Sequence, residues 1–425
     1  MNNIQWKTSS CTKDSILFYY FPENTPLRIA QFKERIKSTE FQTCYVNIEL
    51  TLEKVISLTD EKWAEKREAL CNEIYPFRVQ KLIGITGTNG KTTTTDIIRQ
   101  LLILKDKSVV TVGTLGVYHN ELKVDDFGLT TPDYIDLRKT LNEYDSEYAV
   151  IEVSSHALSQ NRFSKINFDR AIWTSFSQDH LDYHESMERY FKAKEKIVNL
   201  TKQNIYIYSL DILIHSKLSS KKVKLTEPTQ LHTSKYFSIS YNKKNLSLAI
   251  DLLKDEGLKF TEEEIDKLEQ TPGRFNIYEN KNRKIIIDFA HTPEALINVG
   301  SELRKIFPNK KIITIFGCGG DRDRKKRPLM GEAASIFSDL MVITSDNPRT
   351  EIPIAIIEDI YIGCDKDKTI KVVNRSEAIE MALRDNDDAV FLIAGKGHEK
   401  YIETNGERSY YSDEEEVKKV LNDLY

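Results

Sequence analysis

The string Gly-Ile-Thr-Gly-Thr-Asn-Gly-Lys-Thr-Thr-Thr-Thr, Gly84 to Thr95, constrains the fold more than any other part of the sequence. A β-branched run, Gln80 to Thr86, leads into it, and a helical pattern, Asp-Ile-Ile-Arg-Gln-Leu-Leu, leaves it. A glycine-rich turn between strand and helix presents backbone N–H groups at the helix N-terminus, where the dipole favours an anion. Lys91 suits the terminal phosphates of a nucleoside triphosphate, and the Thr92 hydroxyl suits Mg²⁺. Gly87, Thr88, Asn89, Gly90 and Thr93 complete the loop. The glycine spacing is unusual, because the residue five before Gly90 is Ile85. A plain Gly-Thr-Asn-Gly turn leaves the following Lys-Thr unexplained, so an ATP or GTP site is expected. The reaction stays open, since kinases, GTPases, motors and ligases share such loops.

Around this loop, apolar runs alternate with helical stretches: Gln80–Thr86, Ser108–Thr114, Tyr148–Val153 and Arg170–Phe176. The alternation restarts with Arg283–Ala290, Lys311–Gly317, Asp339–Ser345, Thr369–Val373 and Ala389–Gly395. Apolar strands separated by helices predict two parallel sheets buried on both faces, an α/β chain. Pro-Gly at Pro272 marks a boundary. The first 78 residues read as less regular and end in a charged helix. With 425 residues, about three domains are expected, at 1–78, 79–271 and 272–425.

Charge excludes some partners. Lys plus Arg number 61 against 65 Asp plus Glu, so no global attraction to nucleic acid is expected. No apolar run reaches the roughly 18 residues of a membrane span. The N-terminal residues lack a signal-peptide pattern, and the five scattered cysteines (Cys11, Cys44, Cys71, Cys318, Cys364) suit reduced thiols. A cytoplasmic protein is expected.

Chemistry-bearing residues recur at predicted strand ends, where open α/β sheets bind ligands. Glu152 is placed to reach a metal held by Thr92, and Ser177–His184 supplies oxygen and imidazole ligands. Tyr190–Lys196 reads as a solvated helix face, and its spacing gives Lys194 no role. Asp288 and His291 suit ribose or base contacts. Five cations fall between Arg322 and Arg327, a run open to three readings: a nucleic-acid patch, a bland charged loop, or recognition of small anions. Asp346, Arg349 and Glu399 suit a small substrate carrying both amine and carboxylate groups.

Taken in order, the motifs resemble those of the Mur ligase family: TGTNGKTTT, TTPD from Thr130, EVSSHALSQNRF, DHLDYH, Ala193-Lys194, PGRF, DFAHTP, GCGGDRDRKKRPLM, DNPR and AGKGHE. They span residues 83–400, most of the chain. The resemblance implies an N-terminal uridine-nucleotide domain, a central phosphate-loop ATPase and a C-terminal, Rossmann-like domain that binds an amino acid. It implies a cytoplasmic, monomeric enzyme using ATP and Mg²⁺. Its activity would add meso-diaminopimelate to UDP-N-acetylmuramoyl-alanyl-glutamate, a peptidoglycan precursor, with no nucleic-acid partner.

By the same resemblance, Lys91, Glu152, His180 and Lys194 are catalytic. Thr92, Glu152, His180 and Lys194, the last as a carbamate, hold Mg²⁺; this replaces the spacing-based reading of Lys194. Asn245, Arg274 and Asp288 join the loop in binding ATP. Thr130, Thr131, Ser154, Ser155 and Arg162 contact the muramoyl-dipeptide, and Arg322, Asp346, Asn347, Arg349, Gly395 and Glu399 contact diaminopimelate. Two departures stand out: the N-terminal region is short, with a Thr8-to-Phe21 segment that fits the family pattern loosely, and glycine is absent from some linker positions. Competing expectations are lysine or another amino acid as substrate, folylpolyglutamate synthesis, a noncatalytic ATP-binding scaffold, and a nucleic-acid-binding phosphate-loop protein.

Overall fold

A computed structural model describes residues 3–423 apart from 22–24, 164, 219 and 232–234. The chain builds three large sheets in sequence order. The first corrects the expectation of an irregular N-terminus. Asn3–Gln5, Ser15–Tyr19, Thr43–Val46 and Val55–Ser57 pair in that order, all parallel. Each strand has only three to five residues, too few for a period to register in the sequence. Helix Pro26–Lys37 crosses over, its start fixed by the Thr25 cap and Pro26. It buries Phe32 and Ile36 against Leu17, Cys44 and Val46.

The other face of this sheet, with Ile4, Phe18 and Trp63, shares a core with the central sheet. Arg138 bolts the two together. Wholly buried, it donates to Glu68 Oε1 at 3.0 Å, Asn72 Oδ1 at 2.8 Å, Tyr75 O at 2.9 Å and Tyr134 Oη at 2.8 Å.

The central sheet has eight strands. In spatial order they are Val223–Thr226, Ile205–Tyr208, Arg170–Trp173, Val79–Thr86, Ser146–Glu152, Val109–Gly113, Gly116–His119 and Leu122–Asp125. The first six run parallel, and the last two form an antiparallel meander. The phosphate-loop strand Val79–Thr86 sits mid-sheet. Its neighbours on either side, Ser146–Glu152 and Arg170–Trp173, come later in the chain, so three carboxyl ends meet where the strand order reverses.

The third sheet, Asn276–Asn280, Arg283–Asp288, Ala389–Ala394, Lys311–Phe316, Leu340–Ile343 and Thr369–Lys371, is parallel except for its first pair. Helix Ser240–Asp255 packs on the loop helix Lys91–Ile103 and joins both sheets in one core with Phe275, Ile286, Leu296 and Phe316. A hairpin, Tyr401–Thr404 with Glu407–Tyr410, stands apart from the sheets. The sheets occupy residues 3–57, 79–226 and 276–394, and we propose 1–78, 79–271 and 272–425 as the domains. Among the described residues, no helix is long and apolar enough to cross a membrane.

Candidate active site

The carboxyl end of Val79–Thr86 turns through Gly87 and Gly90 into helix Lys91–Ile103, which has no side-chain cap at its start. Its first amides are left for a ligand. Gly87 has φ +148°, and a Cβ there would lie 2.0 Å from Thr174 Oγ1, so the turn admits only glycine. Lys91 Nζ folds over the loop and donates to Gly87 O at 2.9 Å and Thr88 O at 3.0 Å. Burial lowers its ammonium from the ordinary value, against the pull of Glu152 and Asp179.

Glu152 ends the adjacent strand and is buried. It accepts from Thr92 Oγ1 at 3.1 Å, and from Thr114 N at 2.9 Å and Thr114 Oγ1 at 3.0 Å. Burial raises its carboxyl, with Lys91 opposing. The Thr92 hydroxyl and this carboxylate are hard oxygen donors side by side at the phosphate loop, a set that fits Mg²⁺ completed by phosphates and water. Among the described residues no group of three His, Cys, Asp or Glu would hold a metal without such help.

Lys194 overturns the solvated-face reading. It is 1% exposed, because Tyr190, Phe191, Ile197 and Val198 bury the same helix face. Its Nζ donates to Gly87 O at 2.8 Å and lies 4.8 Å from the Tyr190 ring centre. Burial, then Lys91, push it well below the ordinary lysine range. His180 caps a short helix with φ +54°, its Nε2 3.4 Å from Asp179 Oδ2. Desolvation, and then His156, Lys194 and Lys91, hold its ring well below the ordinary value against the pull of Asp179.

Asp179 and Lys326 were not singled out from the sequence. Lys326 Nζ sits 3.0 Å from Asp179 Oδ1 and links the third sheet's side to the central one. Burial alone would raise the Asp179 carboxyl, but Lys326, His180 and His291 hold it well below the usual range. Nothing in the run distinguishes Lys326 from its four cationic neighbours. The structure divides them: Arg327 pairs with Glu351 and Asp359, Arg324 pairs with Glu351, and Arg322 lines the cavity. Lys326 and Arg327 are thus buried in ion pairs, while Arg322, Arg324 and Lys325 stay exposed.

A cavity of about 680 Å³ collects the loop residues Thr88–Thr93 with Asn245, Arg274, Asp288, His180 and Thr130. Arg274 donates to Thr92 Oγ1 at 3.3 Å, and its guanidinium lies 4.2 Å from the Phe289 ring centre. Asp288 is spent on the backbone, accepting from Phe275 N and Ala290 N, both at 2.7 Å. The same cavity holds all six residues of the expected amino-acid pocket. Asn347 Nδ2 donates to Glu399 Oε2 at 3.0 Å, and its Oδ1 accepts from Lys396 Nζ at 3.1 Å. Lys396, also passed over in the sequence, lies 3.6 Å from both Asp346 and Glu399. Burial would raise Asp346, but Lys396 and Arg375 hold it below the ordinary value; burial and Asp346 raise Glu399. Gly395 has φ +113°, and a Cβ there would meet Asp346 Oδ2 at 2.7 Å.

The remaining group is only partly gathered. Thr131 Oγ1 donates to Glu152 O at 2.7 Å, Ser154 caps the next helix, and Ser155 Oγ sits 3.0 Å from His184 Nε2. These hydroxyls are engaged within the protein, and none of the three residues lines either cavity. Arg162 donates to Thr131 O at 2.6 Å and opens on a second cavity of about 670 Å³, with Trp6, Tyr20, Trp63, Arg67 and Lys165.

A phosphate loop and a cluster of cationic and anionic side chains line one cavity, the arrangement of an ATP-using enzyme with a second, charged substrate. Residues 85–280 match the Mur ligase middle domain, and 273–397 match the glutamate ligase domain of Mur ligases. The UDP-N-acetylmuramoyl-L-alanyl-D-glutamate–2,6-diaminopimelate ligase of Aquifex aeolicus is 38% identical over 380 residues, covering 81% of this chain and 78% of that protein. Its counterpart in Clostridium tetani is 33% identical over 467 aligned positions, covering 100% and 96%. A solved structure of a ligase of the same name superposes with a TM-score of 0.63 at 26% identity, covering 99% of this chain and 95% of that one. The chain belongs to the Mur ligase family and is an ATP-dependent amino-acid ligase.

Proposed function

We propose that this enzyme adds meso-diaminopimelate to UDP-N-acetylmuramoyl-L-alanyl-D-glutamate, forming ADP and phosphate. The observation that carries the reading is the single cavity in which the phosphate loop meets Arg322, Asp346, Asn347, Arg349 and Glu399. That pocket offers guanidinium groups for carboxylates and carboxylates for an ammonium, as an amino acid with a zwitterion at each end requires. The second cavity, with its aromatic rings and Arg162, supports a site for the sugar-nucleotide end.

In the first step the glutamyl carboxylate oxygen attacks the γ-phosphorus of ATP, and the bond to the ADP oxygen breaks. Lys91 and the loop amides neutralise the transferring group and hold it in line. In the second step the amine of diaminopimelate attacks the acyl carbon, the C–O bond to phosphate breaks, and the amine gives up its proton. Phosphorylation supplies the leaving group that a carboxylate lacks. Thr92 and Glu152 would hold one Mg²⁺, and His180 with a Lys194 carbamate a second, and these ions would neutralise phosphate charge. Arg322 and Arg349 hold the substrate carboxylates, while Asp346, Asn347 and Glu399 orient its amine end. ATP and a nucleotide sugar as substrates support a cytoplasmic enzyme.

The test is phosphate release, followed with substrates omitted one at a time. Release only when ATP, Mg²⁺, the muramoyl-dipeptide and diaminopimelate are all present supports the reading; ATP binding without release in the complete mixture supports a noncatalytic scaffold.

A further inference from the structure

The hairpin Tyr401–Thr404/Glu407–Tyr410 belongs to none of the large sheets, yet it is laced to the loop carrying Asp346, Asn347 and Arg349. Lys396 Nζ donates to Tyr401 O at 2.8 Å, and Glu403 N donates to Asn347 Oδ1 at 3.0 Å. Arg349 N donates to Glu403 O at 3.0 Å, and Asn405 N donates to Arg349 O at 2.8 Å. Arg349 is thereby bridged to Thr404 as if it were a one-residue strand. Its φ of +51° is a left-handed conformation that a residue with a Cβ adopts when neighbours impose it.

The side chain is held as well, by one hydrogen bond and one longer ion-pair contact. Arg349 Nη1 donates to Gly320 O at 2.7 Å, and Nε faces Glu403 Oε1 at 3.9 Å. Glu403 is itself held by Arg408 Nε at 3.4 Å, whose guanidinium lies 4.2 Å from the Tyr401 ring centre. Among the described residues, Arg349 Nη2 has no protein hydrogen-bond partner, and the residue lines the cavity. A guanidinium anchored at Nη1 and faced by a carboxylate at Nε keeps its Nη2 edge for a ligand, and orienting it beforehand lowers the ordering cost that a free arginine bears on binding.

We propose that the hairpin is a specificity element for the amino-acid substrate, with Glu403 as its positioning residue. By aiming Arg349, it selects an amino acid that carries a second, distal carboxylate over one that ends in an ammonium group, which would face the guanidinium with like charge. The proposal rests on the pocket assignment made above for Arg349.

The test compares Glu403→Gln with the unmodified enzyme, measuring kcat/KM for meso-diaminopimelate and for L-lysine, and KM for ATP. The expected result is a rise of about tenfold in the diaminopimelate KM, with the preference over lysine falling by a similar factor. The ATP KM stays within about twofold, which a general loss of structure would not allow. Glu403→Asp recovers part of the preference. Arg408→Ala, a change at a half-exposed position, shifts it in the same direction by about threefold and answers the question where Glu403→Gln does not fold. An unchanged diaminopimelate-to-lysine ratio in the folded variants overturns the hairpin's role. An unmodified enzyme that never uses diaminopimelate overturns instead the pocket assignment on which it rests.

Discussion

Lys91 and Lys194 donate to the same acceptor, the carbonyl oxygen of Gly87, at 2.9 and 2.8 Å. Two ammonium groups on one buried oxygen repel each other, and burial adds to the cost of charge on both. The pair settles it unequally, with Lys194 held well below its ordinary range. A neutral amine is the form that reacts with CO₂. A carbamate formed there would be an anion, converting repulsion by Lys91 into attraction and offering hard oxygen donors beside the phosphate loop.

If Lys194 acts through a carbamate, Lys194→Arg should fail, because a guanidinium stays charged and forms none. We expect kcat to fall by about 10²-fold. Initial rates of the unmodified enzyme in CO₂-depleted buffer should also fall and return on adding bicarbonate. Rates indifferent to bicarbonate at every concentration would count against the carbamate.

Gly87→Ala places a Cβ where Thr174 Oγ1 now stands, at 2.0 Å. The loop must shift to relieve the clash, and a displacement of about 1 Å at a phosphoryl-transfer site costs about 10²-fold in rate. Steady-state kinetics should show the loss in kcat/KM for ATP.

Arg138→Ala leaves Glu68, Asn72 and Tyr134 without their shared donor at the joint between the first two sheets. Removing one partner of a buried ion pair costs about 3 kcal/mol or more. Urea denaturation should show that loss of stability.

A pH dependence follows from Glu351. Hydrogen bonds from Arg327, and then from the Asp321 amide, hold its carboxyl at about 2 against the effect of burial. The folded state therefore binds this proton more weakly than the unfolded chain does. Its stabilisation is complete above the unfolded carboxylate value and is lost as pH falls through about 2. Glu351→Gln should destabilise the protein by about 1–3 kcal/mol at pH 7, with the difference shrinking below about pH 4.5 in acid-titrated unfolding.

What the sequence revealed depended on how local the physics was. The phosphate loop was legible because its glycines, lysine and threonines act within one turn. The third sheet was legible because runs such as Val390–Ile393 are apolar throughout, as strands buried on both faces must be. The first sheet was not, because its strands are too short for a period. The meander strand Leu122–Asp125 alternates apolar and polar residues over only four positions, and all four are exposed, so neither length nor a buried face marked it. Lys194 misled because lysine among charged neighbours normally faces water, although Tyr190, Phe191, Ile197 and Val198 already marked its face as apolar. The hairpin did carry a signal, Asn405-Gly406 between two short strands, the pair that a tight two-residue turn with two positive φ values demands. Asp179–Lys326 and Lys396–Asp346 were illegible because their partners meet only in the folded chain.

The enzyme's choice of amino acid is read most directly as a product mass. The enzyme would be given Mg-ATP, UDP-N-acetylmuramoyl-L-alanyl-D-glutamate and equal concentrations of meso-diaminopimelate and L-lysine. One new species is expected, heavier than the dipeptide nucleotide by diaminopimelate less water, formed one-for-one with ADP and phosphate. A lysine adduct as the main product, or ATP turnover that instead follows an added folate, would contradict that expectation.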